Sequence, residues 1–383
     1  MNKGFPKIPV ASEMAANHQR LPGIQHFDIH ITDKNLEISA KTLISHVKKG
    51  WKIEKLQHKV FDDGISNKLV GYFVQPEHTK DGLINISAQR SDIVLVRIYG
   101  AKTELFIDRA RELRNFKLLQ ENGLSPALYC TFENGYCYAF IDGRVLGPED
   151  FIGKEMPEQS VKLLAMVHAV RIGQAYLHHH KMEPSLVNSL KKIIRLLPDK
   201  FDDPEQQKRY ETTIPSHEIL QQEVSEISQV LSSAQSPLVL CHNDALCANF
   251  IYDEIKEKLW IIDYEYASIN HAAYDLANHF NEYAGVTDVN FERLPSKEKQ
   301  LNLIRIYLEE FGKLKWTGDV DITDEKIEKF YVEVCKFSLA SHLFWGIWSI
   351  VQAFYSEIDF DFLGYAALRL NEYFRKKPDV LAL

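Results

Sequence analysis

Two hydrophobic periods divide this chain, and the change from one to the other limits what it can fold into. Up to about residue 142 the apolar residues fall in short alternating or β-branched runs, and beyond it they recur mostly at helical spacing. Such a chain must build a sheet first and a helical body second. Strands are expected at Lys55–Phe61, Lys68–Gln75, Asp92–Tyr99, Ala127–Glu133 and Tyr136–Ile141, the last two joined by the hairpin signal Asn134-Gly135. Residues 24–34 alternate and read as an edge strand. Residues 38–50 read as a helix, and so do 103–122, with Thr103 as N-cap and Asn122-Gly123 as the stop. Further helices are expected near 157–180, 184–196, 215–233, 297–314, 323–354 and 360–376. Two short strands, Leu238–Cys241 and Lys258–Ile262, interrupt them. The expected class is α+β. A loosely ordered segment, 1–23, precedes a small β-rich N-lobe, 24–142, and a large mainly helical C-lobe, 143–383. Ile141-Asp142-Gly143-Arg144 is the expected hinge.

The 383 residues, 45% of them hydrophobic, are enough for a sizeable core in two parts. The net charge of −8 carries no electrostatic footprint for nucleic acid. Five cysteines, an odd number with no CxxC spacing, fit a reduced, cytoplasmic setting. The first residues hold no apolar core of signal-peptide length. The stretch Phe337–Phe354 contains His342, Gln352 and three serines, and reads as a buried helix rather than a membrane insertion. The sequence leaves the oligomeric state open, a homodimer included.

The stretch that carries chemistry is His242-Asn243-Asp244-Ala245-Leu246-Cys247-Ala248-Asn249, with Asp263-Tyr264-Glu265 following at the end of an apolar run. Four residues separate Asp244 from Asn249, and Asp263 arrives fourteen residues after that. This is the layout of a kinase catalytic loop. Asp244 would serve the acceptor hydroxyl as base, while Asn249 and Asp263, with Glu265 close by, would bind Mg²⁺ through hard oxygens. An HxD alone is weak, and the plain alternative is an Asp and an Asn capping turns around two strands. His242 reads as structural, holding the loop. Cys247 reads as a small filler rather than a reactive thiol.

Phosphate contacts are expected from the earlier strands. Asp63-Gly64-Ile65-Ser66-Asn67-Lys68 joins two of them, and Ser66, Asn67 and the backbone there could cradle phosphate oxygens, although such turns are common. No Walker A sequence, GxxxxGK[ST], is present. Arg97, in DIVLVRIY, lies where protein kinases carry a strand lysine. A cation on a buried strand needs a partner, and Glu112 is the candidate, with Glu104 second. The run His178-His179-His180 reads as a solvated helix end, since consecutive helical positions do not converge on one ion.

CHNDALCANF, IIDYEY and YDLANHFNEY, together with DGISNKL, VLVRIYGAKTELFIDR and FSLASHLFWGIWSIVQAFYSEIDFDFLGYA, resemble the choline/ethanolamine kinase family over roughly residues 24–378. That resemblance implies a protein-kinase-like two-lobed fold. It also implies transfer of the ATP γ-phosphate to an amino alcohol, with Mg²⁺ as cofactor. IYGAKTELFIDR, ENGLSPALYCTFENGYCY and HFNEYAGV are similar to the ethanolamine branch, which implies ethanolamine as acceptor and the opening step of the CDP-ethanolamine route to phosphatidylethanolamine. A choline or dual-substrate kinase is the alternative, and an inactive nucleotide-binding scaffold a more distant one. Carried over by resemblance, Arg97 contacts phosphate and the backbone at Ala139 to Ile141 binds adenine. Glu282, Trp345 and Trp348 line the amino-alcohol pocket, with Tyr266, Ile358, Phe360 and Tyr365 nearby.

Trp345 and Trp348 share a helix face, which by spacing alone suits core packing as well as a cation pocket. Asp275, Asn278 and Glu282 share another. Glu282 is the expected partner of the substrate ammonium, and Asp275 is expected to brace the loop. The stretch Tyr283-Ala284-Gly285-Val286-Thr287 has few aromatics, which suits a primary ammonium with its three donors better than a methylated one.

Overall fold

The strand VLVRIY shows how the first part of the chain is built. Its side chains alternate, so Val94, Val96 and Ile98 enter one apolar core while Arg97 takes the opposite face. The computed structural model describes residues 21–383 apart from 62–66, 75–91, 101–102, 104–106, 174–175, 177–181, 316–320 and 357. The expectations for residues 1–20, the turn at 62–64, Ser66, Glu104 and His178–His180 lie outside the described residues. The chain divides into two compact units, one ending at Asp142 and the other running Gly143–Leu383.

The first unit carries β1 (Gln25–Phe27), α1 (Leu36–Val47), β2 (Leu56–Phe61), β3 (Asn67–Val74), β4 (Val94–Tyr99), α2 (Arg109–Glu121), β5 (Leu128–Phe132) and β6 (Gly135–Ala139). The six strands form one sheet in the order β1-β5-β6-β4-β3-β2. Pairing is antiparallel except between β1 and β5. Helix α1 buries Ala40, Leu43 and Ile44 in the same core as Val70, Val96, Phe132 and Cys137. Helix α2 begins later than expected, which corrects the reading of Thr103 as its N-cap. Asp108 is the cap, accepting the Arg111 N–H at 3.0 Å, while the Thr103 hydroxyl donates to the Gly100 carbonyl at 2.9 Å.

The second unit carries β7 (Arg144–Val145), α3 (Glu155–Ala169), α4 (Leu186–Ile193), α5 (Pro204–Thr213), α6 (His217–Leu231), β8 (Leu238–Cys241), β9 (Phe250–Asp253), β10 (Lys258–Ile261), β11 (Ser268–His271), α7 (Ala272–Glu282), α8 (Lys297–Lys315), α9 (Asp324–Tyr355) and α10 (Phe362–Leu381). Helix α3 stops well before residue 180 because Val170 turns extended, at φ −54° and ψ 131°. Helix α5 was not expected. It buries none of its residues, so it shows no apolar stripe, although Asp203-Pro204 is a helix-start signal and Asp203 caps it. Gly143 has φ +148°, and a Cβ there would lie 2.6 Å from the Tyr252 carbonyl oxygen, so only glycine fits.

Two short antiparallel pairs, β8 with β11 and β9 with β10, hold the loops that matter. Behind them α7 is buried at every residue, so its polar side chains need partners. Helix α9 is long and apolar enough to cross a membrane, yet 89% of its most apolar stretch is buried within the protein.

Candidate active site

The loop after β8 is held by one carboxylate. Asp275 of α7 accepts the backbone N–H of His242 and of Asn243, each at 2.6 Å, and His168 Nε2 lies 2.9 Å from the same carboxylate. His168 Nδ1 in turn meets the Tyr307 hydroxyl at 2.9 Å. Burial alone would raise the Asp275 carboxyl. The hydrogen bonds from His168 and the His242 backbone outweigh it and hold the group below its ordinary value.

Asn243 has φ 66°, a left-handed conformation that Asn tolerates better than most residues. Its amide secures the bend, with Nδ2 donating to the Tyr266 carbonyl at 2.9 Å and Oδ1 accepting from Asn270 at 2.9 Å. Asp263 is left-handed as well, at φ 68°. Two non-glycine residues in the left-handed region therefore flank the site; hydrogen bonds hold Asn243 itself and, beside Asp263, both backbone groups of Ile262.

His242 joins the two bends. Its Nε2–H donates to the Ile262 carbonyl at 2.9 Å, and its Nδ1 accepts the Asp244 N–H at 3.3 Å. Burial pushes the ring's pKa down, so it stays neutral in this bridging tautomer. Asn249 makes a second bridge. Its Nδ2 donates to the Asp244 carbonyl at 2.8 Å and to Asp244 Oδ2 at 3.3 Å, and its own carbonyl accepts the Ile262 N–H at 2.9 Å. Asp244, Asn249 and Asp263 are thus brought together by short links on both sides.

The charges there are like-signed. Burial, followed by the carboxylates of Glu282, Asp263 and Glu265, pushes the Asp244 carboxyl well above the usual range, against the hydrogen bond from Asn249. Burial, followed by the carboxylates of Glu265, Asp244 and Asp263, holds the Tyr266 phenol well above its ordinary value, against the hydrogen bond from Trp348. Burial also raises Cys247, whose thiol donates to the Glu282 carbonyl at 3.4 Å; this is an inert filler.

Helix α9 contributes an aromatic cluster. The Trp345 and Trp348 rings are 5.4 Å apart at 77°, and Tyr266 meets Trp345 at 5.2 Å. Both indole N–H groups are used, Trp345 donating to Asn278 Oδ1 at 2.8 Å and Trp348 to the Tyr266 hydroxyl at 2.9 Å. Phe360 and Tyr365 meet at 5.9 Å, while Ile358 is largely exposed. Glu282 pairs with Arg369, Nη1 to Oε1 at 2.5 Å, and the same nitrogen donates to the Tyr365 hydroxyl at 2.9 Å. Sequence reasoning missed Arg369, His168 and Ser341. The only signal for Arg369 was its place one helical turn after Tyr365.

In the first unit, Arg97 Nε lies 4.0 Å from Glu112 Oε1. Arg109, unforeseen, is closer, with Nη1 donating to Glu112 Oε2 at 2.8 Å, and the Tyr136 hydroxyl donates to Oε1 at 2.9 Å. Arg109 also donates to Asn67 Oδ1 at 3.1 Å. Strand β6 ends at Ala139, two residues short of the expected Ile141. The Ala139 N–H is spent on the Ala127 carbonyl at 2.8 Å, and Ile141 is buried.

A family model described as choline/ethanolamine kinase matches residues 59–374. The chain is 42% identical over 344 residues to ethanolamine kinase 1 of Homo sapiens, covering 90% of this chain and 72% of that one. It is 40% identical over 365 residues to ethanolamine kinase 1 of Mus musculus, covering 94% and 96%. Among solved structures, the ethanolamine kinase of Plasmodium vivax superposes with a TM-score of 0.73 at 28% identity, over 90% of each chain.

Proposed function

This chain belongs to the choline/ethanolamine kinase family, and we propose that it transfers the γ-phosphoryl group of ATP to the hydroxyl of ethanolamine, giving phosphoethanolamine. The fold is protein-kinase-like, as in the related solved structures. The observation that carries the proposal is the arrangement around Asp244, with the Asp263 and Glu265 carboxylates beside it and Glu282 leading to two indoles. Phosphoryl transfer asks a protein mainly to position groups and to manage charge.

In this reading Asp244 orients the acceptor hydroxyl and takes its proton as the new P–O bond forms and the γ-phosphorus loses its bond to the β-phosphate oxygen, which leaves as ADP. His242, Asn243 and Asp275 fix the loop so that this carboxylate does not wander. Mg²⁺ suits the residues present. Asn249 has its amide nitrogen committed to Asp244, so its oxygen is the donor it can offer, and Asp263 and Glu265 add carboxylates. A divalent cation bound by these three residues supplies positive charge for the phosphate oxygens and relieves the crowding that raises Asp244. Arg97, steadied by Glu112, faces phosphate in this reading, joined by Asn67 at the start of β3. With the Ala139 N–H engaged, adenine is read by other backbone groups between Ala139 and Ile141.

The acceptor's ammonium pairs with Glu282, and Trp345, Trp348, Tyr266 and Tyr365 enclose its carbon chain. The perpendicular indoles also favour a second reading, in which choline is turned over too. A coupled kinase assay separates the two. The expected result is a kcat/KM for ethanolamine at least about tenfold above that for choline, and equal or inverted values would overturn the ethanolamine assignment.

A further inference from the structure

The acceptor carboxylate does not stand alone. Glu282 and Arg369 are an ion pair whose side chains are each 3% exposed, so each charge depends on the other being in place. Arg369 reaches further than one pair requires. Its Nη1 serves both Glu282 Oε1, at 2.5 Å, and the Tyr365 hydroxyl, at 2.9 Å, and its Nη2 donates to Ser341 Oγ at 3.0 Å. With its oxygen accepting from Arg369, the Ser341 hydroxyl donates to Asn278 Oδ1 at 2.9 Å, and that oxygen also accepts the Trp345 indole N–H at 2.8 Å. One guanidinium therefore fixes a carboxylate and a phenol directly, and an indole through two relays. The approach of α10 to α9 that allows this depends on Gly346, where a Cβ would lie 2.8 Å from Leu370 Cγ and 3.6 Å from Arg369 Cβ.

We propose that Arg369 is the positioning residue that lets this pocket distinguish an ammonium with N–H donors from a fully methylated one. The proposal rests on the reading of Glu282 as the ammonium's partner. With one oxygen committed to Arg369, the carboxylate presents its other oxygen in a fixed direction. A primary ammonium, which donates along definite directions, gains from that fixed acceptor. A quaternary ammonium has no donors, feels only the summed charge and the indole faces, and gains little from the direction. Lysine cannot replace the guanidinium here, because a point charge on a flexible stem does not hold three oxygens in one plane.

The test compares Arg369→Lys and Ser341→Ala with the unaltered enzyme, measuring kcat and KM for ethanolamine, choline and ATP, and the melting temperature. In Arg369→Lys the ethanolamine KM should rise about tenfold or more and the choline kcat/KM should change less than about threefold, so that the preference collapses. The ATP KM should stay within about twofold, which a general loosening of the fold would not allow. Ser341→Ala, which leaves the ion pair in place, should shift the preference the same way by about threefold. Should Arg369→Lys not fold, Ser341→Ala decides alone, and an unchanged ratio overturns the proposal. Proportional losses on both acceptors overturn it too, since that is the signature of a merely structural arginine. Glu282→Gln separates this failure from a wider one. If it leaves the ethanolamine KM unaltered, the underlying pocket reading fails; if it raises that KM while Arg369→Lys leaves the ratio intact, only the role of Arg369 fails.

Discussion

Glu112 is a buried carboxylate and Asp244 a half-buried one, and their surroundings are opposite. Around Glu112, in the first unit, Arg97, Arg109 and the Tyr136 hydroxyl converge on one acid. Around Asp244, in the second, Glu282, Asp263 and Glu265 crowd one another, and an amide from Asn249 is the donor that answers them. The first arrangement is an internally satisfied cluster that keeps two guanidiniums rigid, which suits holding polyanionic phosphate. The second gathers several carboxylates around Asp244, of which Glu282 is paired with Arg369, and such a like-charged group suits receiving cations. A kinase needs both, and each unit supplies one by the side chains it buries rather than by net charge.

The contrast breaks most sharply at Asp244. Asp244→Asn keeps the shape and the hydrogen bond to Asn249 but removes the proton acceptor we propose, and it also relaxes the like-charge crowding. The expected outcome is a fall in kcat of about 10³-fold with ATP affinity kept or slightly improved, measured by steady-state kinetics alongside nucleotide titration. Retained turnover would remove the base from this residue. Weakened ATP binding would mean that Asp244 was a satisfied structural acid like Glu112.

The converse substitution, Glu112→Gln, should act on stability instead. It leaves the buried Arg97 and Arg109 facing a neutral amide, and losing the charge of a buried pair costs about 3 kcal/mol. Denaturant unfolding should show that loss, together with a raised ATP KM and an unchanged ethanolamine KM. A cost below about 1 kcal/mol would show that other contacts of the two arginines carry the cluster.

What the sequence revealed follows the reach of each contact. The strands around Asn134-Gly135 and the carboxylates around Asp244 were legible because a hairpin and a loop put near neighbours in contact. The strands of the six-stranded sheet were readable one by one as short alternating or β-branched runs. Helix α5 was not, since a helix that buries nothing leaves no apolar period. Strands β9 and β11, four residues each, were not read, whereas β8 and β10 of the same length were, because LVLC and LWII are continuous apolar runs and Ser268-Ile269-Asn270-His271 is largely polar. The partners of the site residues were least legible. Arg369 lies 87 positions from Glu282 and His168 lies 107 from Asp275. No local pattern marks either pair, because only the packing of α7 against its neighbours creates the demand that those side chains meet. Arg97 was read with Glu112, yet Arg109, three residues before that acid on the same helix, holds it more closely.

The smallest effect concerns what lies beneath the Asp244 loop, where the first unit has no counterpart among its described contacts with Glu112. His279 donates from Nδ1 to the Ala245 carbonyl at 2.8 Å, and its Nε2 accepts from Ser160 Oγ at 2.7 Å. Burial pushes its pKa down to about 4; the Ala245 carbonyl and Asp275 oppose the shift and His242 adds to it. The folded protein therefore keeps this ring neutral, while an unfolded chain protonates it near 6.5. Between those values the unfolded state binds the extra proton, so stability rises with pH across the window and falls on acidification. The limiting slope is about 1.4 kcal/mol per pH unit, and between pH 6.5 and 5.5 the loss comes to about 1 kcal/mol. His279→Asn, which retains a donor for Ala245 but does not titrate, should lose about 1 kcal/mol less than the unaltered protein over that interval in paired urea melts. Amide exchange should place the acid-induced opening in the loop and α7, leaving the sheet around Glu112 protected. A variant as acid-sensitive as its parent would assign the effect to His242 or His342, which burial also holds low, and opening that began in the sheet would reverse which of the two sites is the more rigid.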